Sequence, residues 1–506
     1  MKKYLFLLSG LVLFALFTTC TPIEGTILEV LEKAGGGGIR YTVTFNSNGG
    51  TSVPSQKVKE GELASRPQNP TRGADLLANW YSDALLEDVY NFSTPVTKDI
   101  TLYAKWIAED TPLHQVIFDS KGGSFVDAQL IYQGEKAYRP DDPVKRGCEF
   151  GGWYTTDGDP PTNVYNFGIV LSNITLYAKW DKVTIPYGDT LAEKFAWLES
   201  NAISDTTYTV QAETSESLGA QSLSYPGYTN IIIKLIGSSS TSIYRISLSG
   251  NGSMFTISDG VNLTLEKSIS LEGHTDNNAA LIQVDSGGNL VIGTGGMALD
   301  YPSITNNTNL GDNMGALNRA FGGGVYVNGG TFTMTYGSVL NNTATTSGVS
   351  AQGGGVCIGN NGTFKMSGGR ISGNTVSTTS STASTVYGGG VAIYNGTFEM
   401  SGGTISGNTA SGNSNIIANN PATCGGGVFV FGSSGIFKKT GGGTINGNIL
   451  LPLTNNAVRD RSTGSAINNQ GHAAFVSNGL NSKYKDGTAG TSDDLVYDPP
   501  TISGWD

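Results

Sequence analysis

Phe321-Gly322-Gly323-Gly324-Val325-Tyr326-Val327, followed by Thr331-Phe332-Thr333-Met334 and closed by Val339 and Asn342, is a phrase that the chain writes four times. Gly353-Gly354-Gly355-Val356, Gly388-Gly389-Gly390-Val391 and Gly425-Gly426-Gly427-Val428 open the later copies. Their echoes of the second strand are Thr363-Phe364-Lys365-Met366, Thr397-Phe398-Glu399-Met400 and Ile436-Phe437-Lys438-Lys439. Each copy closes on an aliphatic residue and an asparagine: Ile371 and Asn374, Ile405 and Asn408, Ile445 and Asn448. The openings lie 31, 35 and 37 residues apart. A recurring period in this range signals stacked repeats rather than an ordinary globular core.

Side chains alternate across a strand, so Val325, Val327, Phe332 and Met334 point to one face and Tyr326 and Thr333 to the other. The position between Phe and Met varies freely through Thr333, Lys365, Glu399 and Lys438, which marks it as the outer face. Stacking predicts a ladder of Phe332, Phe364, Phe398 and Phe437, and a second ladder of Asn342, Asn374, Asn408 and Asn448 bonded along the stack. The glycine runs suit a tight corner with φ > 0. Three short strands per unit, repeated along one axis, predict a right-handed parallel β-helix. A propeller needs four antiparallel strands in about 40–50 residues, more than the invariant part of a unit supplies. Alternation in Met254–Leu271 and around Leu290–Ile304 extends the stack upstream, giving a β-helix over 207–480 and a tail over 481–506. The variable segments 343–352, 375–387 and 409–423 all leave at the same corner and are expected as projecting loops. Ahead of the stack, 189–201 reads as an amphipathic helix. Thr190 and Glu193 have capping-box spacing, and Leu191, Phe195 and Leu198 share a face. With its flanks (183–206) it is expected to cap the open first coil.

The chain has 506 residues, 71 of them glycine, with 14% charged and a net charge of −11. That balance excludes the basic face of a nucleic-acid partner. Lys2, Lys3 and the apolar run to Phe17 read as an export leader. It ends Phe17-Thr18-Thr19-Cys20, which resembles the lipobox of bacterial lipoproteins. The resemblance implies a leader over 1–20 and lipidation of Cys20, and hence a protein held by an N-terminal lipid at an outer membrane or cell surface. Phe17 and Thr19 depart from the usual Leu and small residue of that motif. Cys148, Cys357 and Cys424 read as small buried hydrophobes, without CxxC or Cys–His spacing for metal or redox chemistry.

Between a linker over 21–40 and the helix lies another repeat. Phe45 with Asn48-Gly49-Gly50 matches Phe118 with Lys121-Gly122-Gly123. Trp80-Tyr81 matches Trp153-Tyr154, and Leu102–Trp106 matches Leu176–Trp180, both reading Leu-Tyr-Ala-Lys-Trp. The pattern resembles the internalin B-repeat, or Listeria–Bacteroides repeat, over 41–107 and 114–182. That family implies small β-grasp-like modules strung on bacterial surface proteins, with no catalytic residues to transfer. Asn79 stands where the second copy has the usual Gly152. Trp80, Trp106, Trp153 and Trp180 are expected to fill the cores of these small modules rather than to stack on sugars. The glycine-rich stack resembles the pectate-lyase-like β-helix superfamily. Its close, from Gly471-His472 to Trp505-Asp506, resembles spirochaete surface lipoproteins that join the two repeat types.

Lyases and hydrolases on such a fold need clustered carboxylates. Between Asp312 and Asp460 the only acidic residue is Glu399. Asp259, Glu266, Glu272, Asp276 and Asp285 are the one place where a cluster could form. His114, His274 and His472 are far apart in sequence. The expectation is a mainly β, non-enzymatic surface protein with no catalytic, metal or cofactor residues. It would be an adhesin presenting β-helix loops to a host or cell-surface glycan or protein. A polysaccharide lyase or hydrolase on the same fold, and a purely structural surface component, are the rival readings.

Overall fold

The computed structural model describes residues 39–445, except 240, 294–300, 312–317, 381–384, 413–415, 418, 419, 422, 432–434, 441 and 442. Beyond 445 it describes the strands 457–460, 474–476 and 483–484. Cys20, the leader and most of the linker and tail lie outside the described residues. The chain divides into two compact units, 1–145 with 149–181, and 146–148 with 182–506. Among the described residues no helix is long and apolar enough to cross a membrane.

The first unit holds two copies of one four-stranded sheet. In the first copy Arg40–Asn46 and Ile100–Ile107 lie parallel at the centre, with Gln56–Lys59 and Leu76–Tyr81 antiparallel outside them. Leu113–Asp119, Ile174–Lys182, Gln129–Tyr132 and Cys148–Tyr154 repeat that order. Trp80 and Trp153 are 0% and 2% exposed and meet Phe45 and Phe118 edge-on at 5.0 and 4.9 Å. Trp106 and Trp180 are half-buried and pack against the same cores. Each donates its indole N–H to the carbonyl of Ser47 or Ser120 at 2.8 Å. Each ring also occupies the space that a Cβ would need at Gly50 or Gly123, which explains the second glycine of the motif.

The second unit opens with helix α1, Leu191–Asn201. The Thr190 hydroxyl accepts from the Glu193 amide, and the Glu193 carboxylate accepts from the amide of Thr190. Leu191, Phe195 and Leu198 are buried against the first coils, and Phe195 meets Phe255 at 5.3 Å. The helix therefore closes the end of the stack. Among the described residues three parallel walls follow. The first contains nine strands, among them Thr331–Met334, Gly362–Met366, Gly396–Met400 and Gly435–Lys439. Its last recorded strand, Lys483–Tyr484, pairs with Phe437 and Lys438, so the stack reaches into the stretch expected as tail. The second wall contains eight strands, including Ser338–Leu340 and Arg370–Ser372; the third contains eight, including Val325–Asn328 and Val356–Gly359.

Both ladders form. Rings of Phe332, Phe364, Phe398 and Phe437 stack at 4.5, 4.7 and 5.1 Å. Asn342, Asn374 and Asn408 are fully buried; each of the first two donates its amide to the next carbonyl oxygen, at 3.1 and 2.9 Å. Asn277 and Asn307 extend the ladder upstream, and Asn448 lies outside the described residues. Buried amides bonded on every side are stable in an apolar stack, where a missing partner would cost about 1–3 kcal/mol.

The expected loops are strands. Thr343–Thr346, Thr375–Thr378 and Thr409–Gly412 belong to a five-stranded parallel sheet. Ser350–Gln352, Thr385–Tyr387 and Thr423–Cys424 belong to a four-stranded one. Ala320, Ala344, Ala351, Val376, Val386 and Ala410 form a separate small core for this side arm. The segments alternate small apolar residues with Thr and Ser, which suffices for pleated pairing when neighbours stack in register. The glycine triplets sit at the neck of the arm. Gly322, Gly353, Gly388 and Gly425 have φ of 68–69°. A Cβ at Gly354 would strike the Gly389 carbonyl and the Thr375 backbone, because the returning and departing chains pass in contact there.

Candidate functional site

The outer row of the first wall is the position that varied freely in the repeats. Thr333, Lys365, Glu399 and Lys438 occupy consecutive coils in register. Ser367, Ser401 and Thr440 stand beside the row where the strands end, and together they line an open groove of about 470 Å³. Lys438 Nζ meets Glu399 Oε1 at 3.1 Å, with both side chains more than a third exposed. Among the described residues Lys365 makes no ion pair, so the groove carries one unpaired cation beside one neutralised pair. Its rim of hydroxyls recurs at the strand spacing of about 4.8 Å.

The outer row of the first wall is open, whereas that of the third is covered. Tyr326, Cys357, Ala392 and Phe429 are register neighbours that alternation points away from the rod's core. Yet Cys357 is 0% and Phe429 1% exposed. The side arm covers them: Phe321 stacks on Tyr326 at 5.4 Å, and Tyr387 on Phe429 at 4.1 Å. Burial pushes the Cys357 thiol and the Tyr326 phenol well above their ordinary pKa ranges, which makes Cys357 an inert packing residue. Cys148 is half-buried, and Cys424 is placed in its strand without a described side chain. An apolar outward row was the sequence signal for this cover.

Three of the upstream carboxylates are engaged, each with its own partner. Glu266 pairs with Lys234 at 3.3 Å and Glu272 with Arg245 at 2.5 Å. Asp285 accepts from Gln283 and, at 2.7 Å, from Asn328, whose own carbonyl accepts from Asn360. This makes a second polar ladder that sequence spacing did not reveal. Asp259 sits at a turn against Gly287, and Asp276 donates its backbone amide to His274. Among the described residues no three His, Cys, Asp or Glu side chains come together as a metal site. His274 bonds the Gly250 carbonyl and His114 lies in the second module, while His472 is outside the described residues.

The two modules of the first unit have known counterparts. Residues 41–105 and 114–179 match the Listeria-Bacteroides repeat domain. The chain is also 33% identical over 141 residues to a putative membrane protein of Evansella cellulosilytica, covering 28% of this chain and 21% of that one. It is 34% identical over 142 residues to a putative Gly-rich membrane protein of the same organism, covering 28% and 16%. The chain thus matches about a fifth or less of the length of these relatives. No solved structure matches it.

Proposed function

We propose that this is a non-enzymatic cell-surface protein that binds a glycan in the first-wall groove. Its tandem repeat modules belong to a type strung on bacterial surface proteins, and its relatives carry membrane-protein names. Lipid attachment at Cys20 would hold it there, in keeping with the lipobox-like Phe17–Cys20 sequence. The groove at Lys365 carries the reading. It lies on a wall that the side arm leaves open, is lined by Ser, Thr, Lys and Glu together with Met366, and holds a single carboxylate already paired with Lys438. A lone neutralised carboxylate cannot supply the acid and base of glycoside cleavage, whereas hydroxyl and ammonium donors at a fixed spacing suit the hydroxyls and carboxylates of a sugar chain.

Titration of the full chain against an array of neutral and acidic polysaccharides tests this. Binding should occur without release of shorter sugars, and Lys365→Ala should weaken it by at least about tenfold. Cleavage of any bound polysaccharide would sink the non-enzymatic reading. Unchanged affinity in Lys365→Ala would remove the groove from it. Metabolic labelling with palmitate, lost in Cys20→Ser, tests the anchor.

A further inference from the structure

The two modules present the same acidic corner in two different states. In the second, Glu135 is 7% exposed and reaches into the first module, where the Tyr81 hydroxyl donates to one carboxylate oxygen and Lys105 Nζ lies 2.7 Å from the other. Tyr81 itself is 1% exposed, and Lys105 lies over its ring at 5.3 Å. Tyr81 and Lys105 thus form a socket for a carboxylate.

Glu62 is the same corner in the first module. Its amide donates to Lys59 O at 2.9 Å, as that of Glu135 does to Tyr132 O. Its carbonyl accepts from Val96 at 2.9 Å, as that of Glu135 does from Val170 at 2.8 Å. The backbone is the same, but Glu62 is exposed, its carboxylate has no partner among the described residues, and it stands beside Leu63, which is 53% exposed. At the other edge of the second module's sheet, Tyr154 and Lys179 are the counterparts of Tyr81 and Lys105, and the Tyr154 hydroxyl makes only a long bond, 3.4 Å, to the Gly151 carbonyl. There Lys179 is held by Asp181 of its own strand at 3.0 Å, where the first module has Ile107.

We propose that the Glu62–Leu63 corner is an open docking surface whose partner is the Tyr154–Lys179 socket of a second copy of this chain. The junction already inside the chain supplies the template, with a carboxylate entering between a phenol and an ammonium. Charge-assisted bonds are stronger than neutral ones, and a phenol and an ammonium on the two carboxylate oxygens supply the extra hydrogen bonding that a buried ion pair needs. The Lys179–Asp181 pair is a weak competitor, because its side chains are 28% and 57% exposed and such surface pairs contribute little. Asp181 therefore acts as a plug that an incoming Glu62 displaces. The contact is heterologous, corner to socket, so it extends copies head to tail rather than closing a dimer.

A carbodiimide, which joins a carboxylate directly to a contacting lysine, tests this on the full chain mixed from light- and heavy-isotope batches. The expected product is an intermolecular Glu62–Lys179 link, with Glu135–Lys105 as the internal reference within each chain. Asp181→Asn should raise the intermolecular yield and the association seen in sedimentation at least about tenfold. Glu62→Gln should abolish both while leaving the Glu135–Lys105 link intact. The proposal is overturned if Asp181→Asn sediments as a monomer, or if association persists unchanged in Glu62→Gln.

Discussion

The body of the rod and its side arm are built from the same coils by opposite means. The body fills its interior with Phe332, Met334 and Val339 and their stacked equivalents, and bolts one corner with buried asparagines. The arm fills its interior with alanine and valine and bonds through Thr and Ser. Large side chains bring two walls together across a wide interior, whereas small ones let two sheets lie close. The difference teaches that stacking in register can hold a sheet with very little apolar volume, provided a stronger core fixes the register.

If the body does fix the register, core substitutions there should outweigh those in the arm. Phe364→Ala removes the ring between Phe332 and Phe398 and should cost about 4 kcal/mol in urea unfolding. Asn374→Ala strips donors from Asn408 Oδ1 and Val339 O and the acceptor of Asn342. It should cost about 3 kcal/mol, measured the same way. Val376→Ala, in the arm, should cost about 2 kcal/mol at most, since a small core leaves a small cavity. A loss equal to that of Phe364→Ala would break the comparison. Glu399→Gln, which removes only an exposed pair in the groove, should change stability by less than about 0.5 kcal/mol. Hydrogen exchange sharpens the same contrast: amides of 343–346 and 375–378 should exchange ahead of those of 331–334 and 362–366.

Large residues are what made the body legible. Phe, Met and Asn recur by identity, so their ladders could be read directly from spacing. The arm keeps only the alternation, as in Thr343-Ala344-Thr345-Thr346 against Thr375-Val376-Ser377-Thr378, and so its composition resembled that of polar loops. The apolar outward row of Tyr326, Cys357 and Phe429 held the missing clue, since a residue pointing out of the core and still apolar requires a cover. The groove was half visible. Its row, Thr333 to Lys438, stood out as the variable position, but its openness depends on where the arm lies, which spacing within one unit does not encode. The state of Glu62 and Glu135 was not legible at all. Both follow Gly in matching turns, and only the placement of the neighbouring module distinguishes them.

The glycine neck has a genetic consequence. From the first glycine of a triplet to the ladder asparagine, the chain spends 20 or 21 residues, in Gly322 to Asn342, Gly353 to Asn374 and Gly388 to Asn408. From that asparagine to the next triplet it spends 11, then 14, then 17. Departing and returning chains touch at Gly323, Gly354 and Gly389, so the pitch of the rod there is insulated from whatever length lies between them. Unequal recombination between two near-identical units would add or delete a whole coil with every donor still facing an acceptor. Small insertions confined to the arm would pass without altering the groove on the opposite wall.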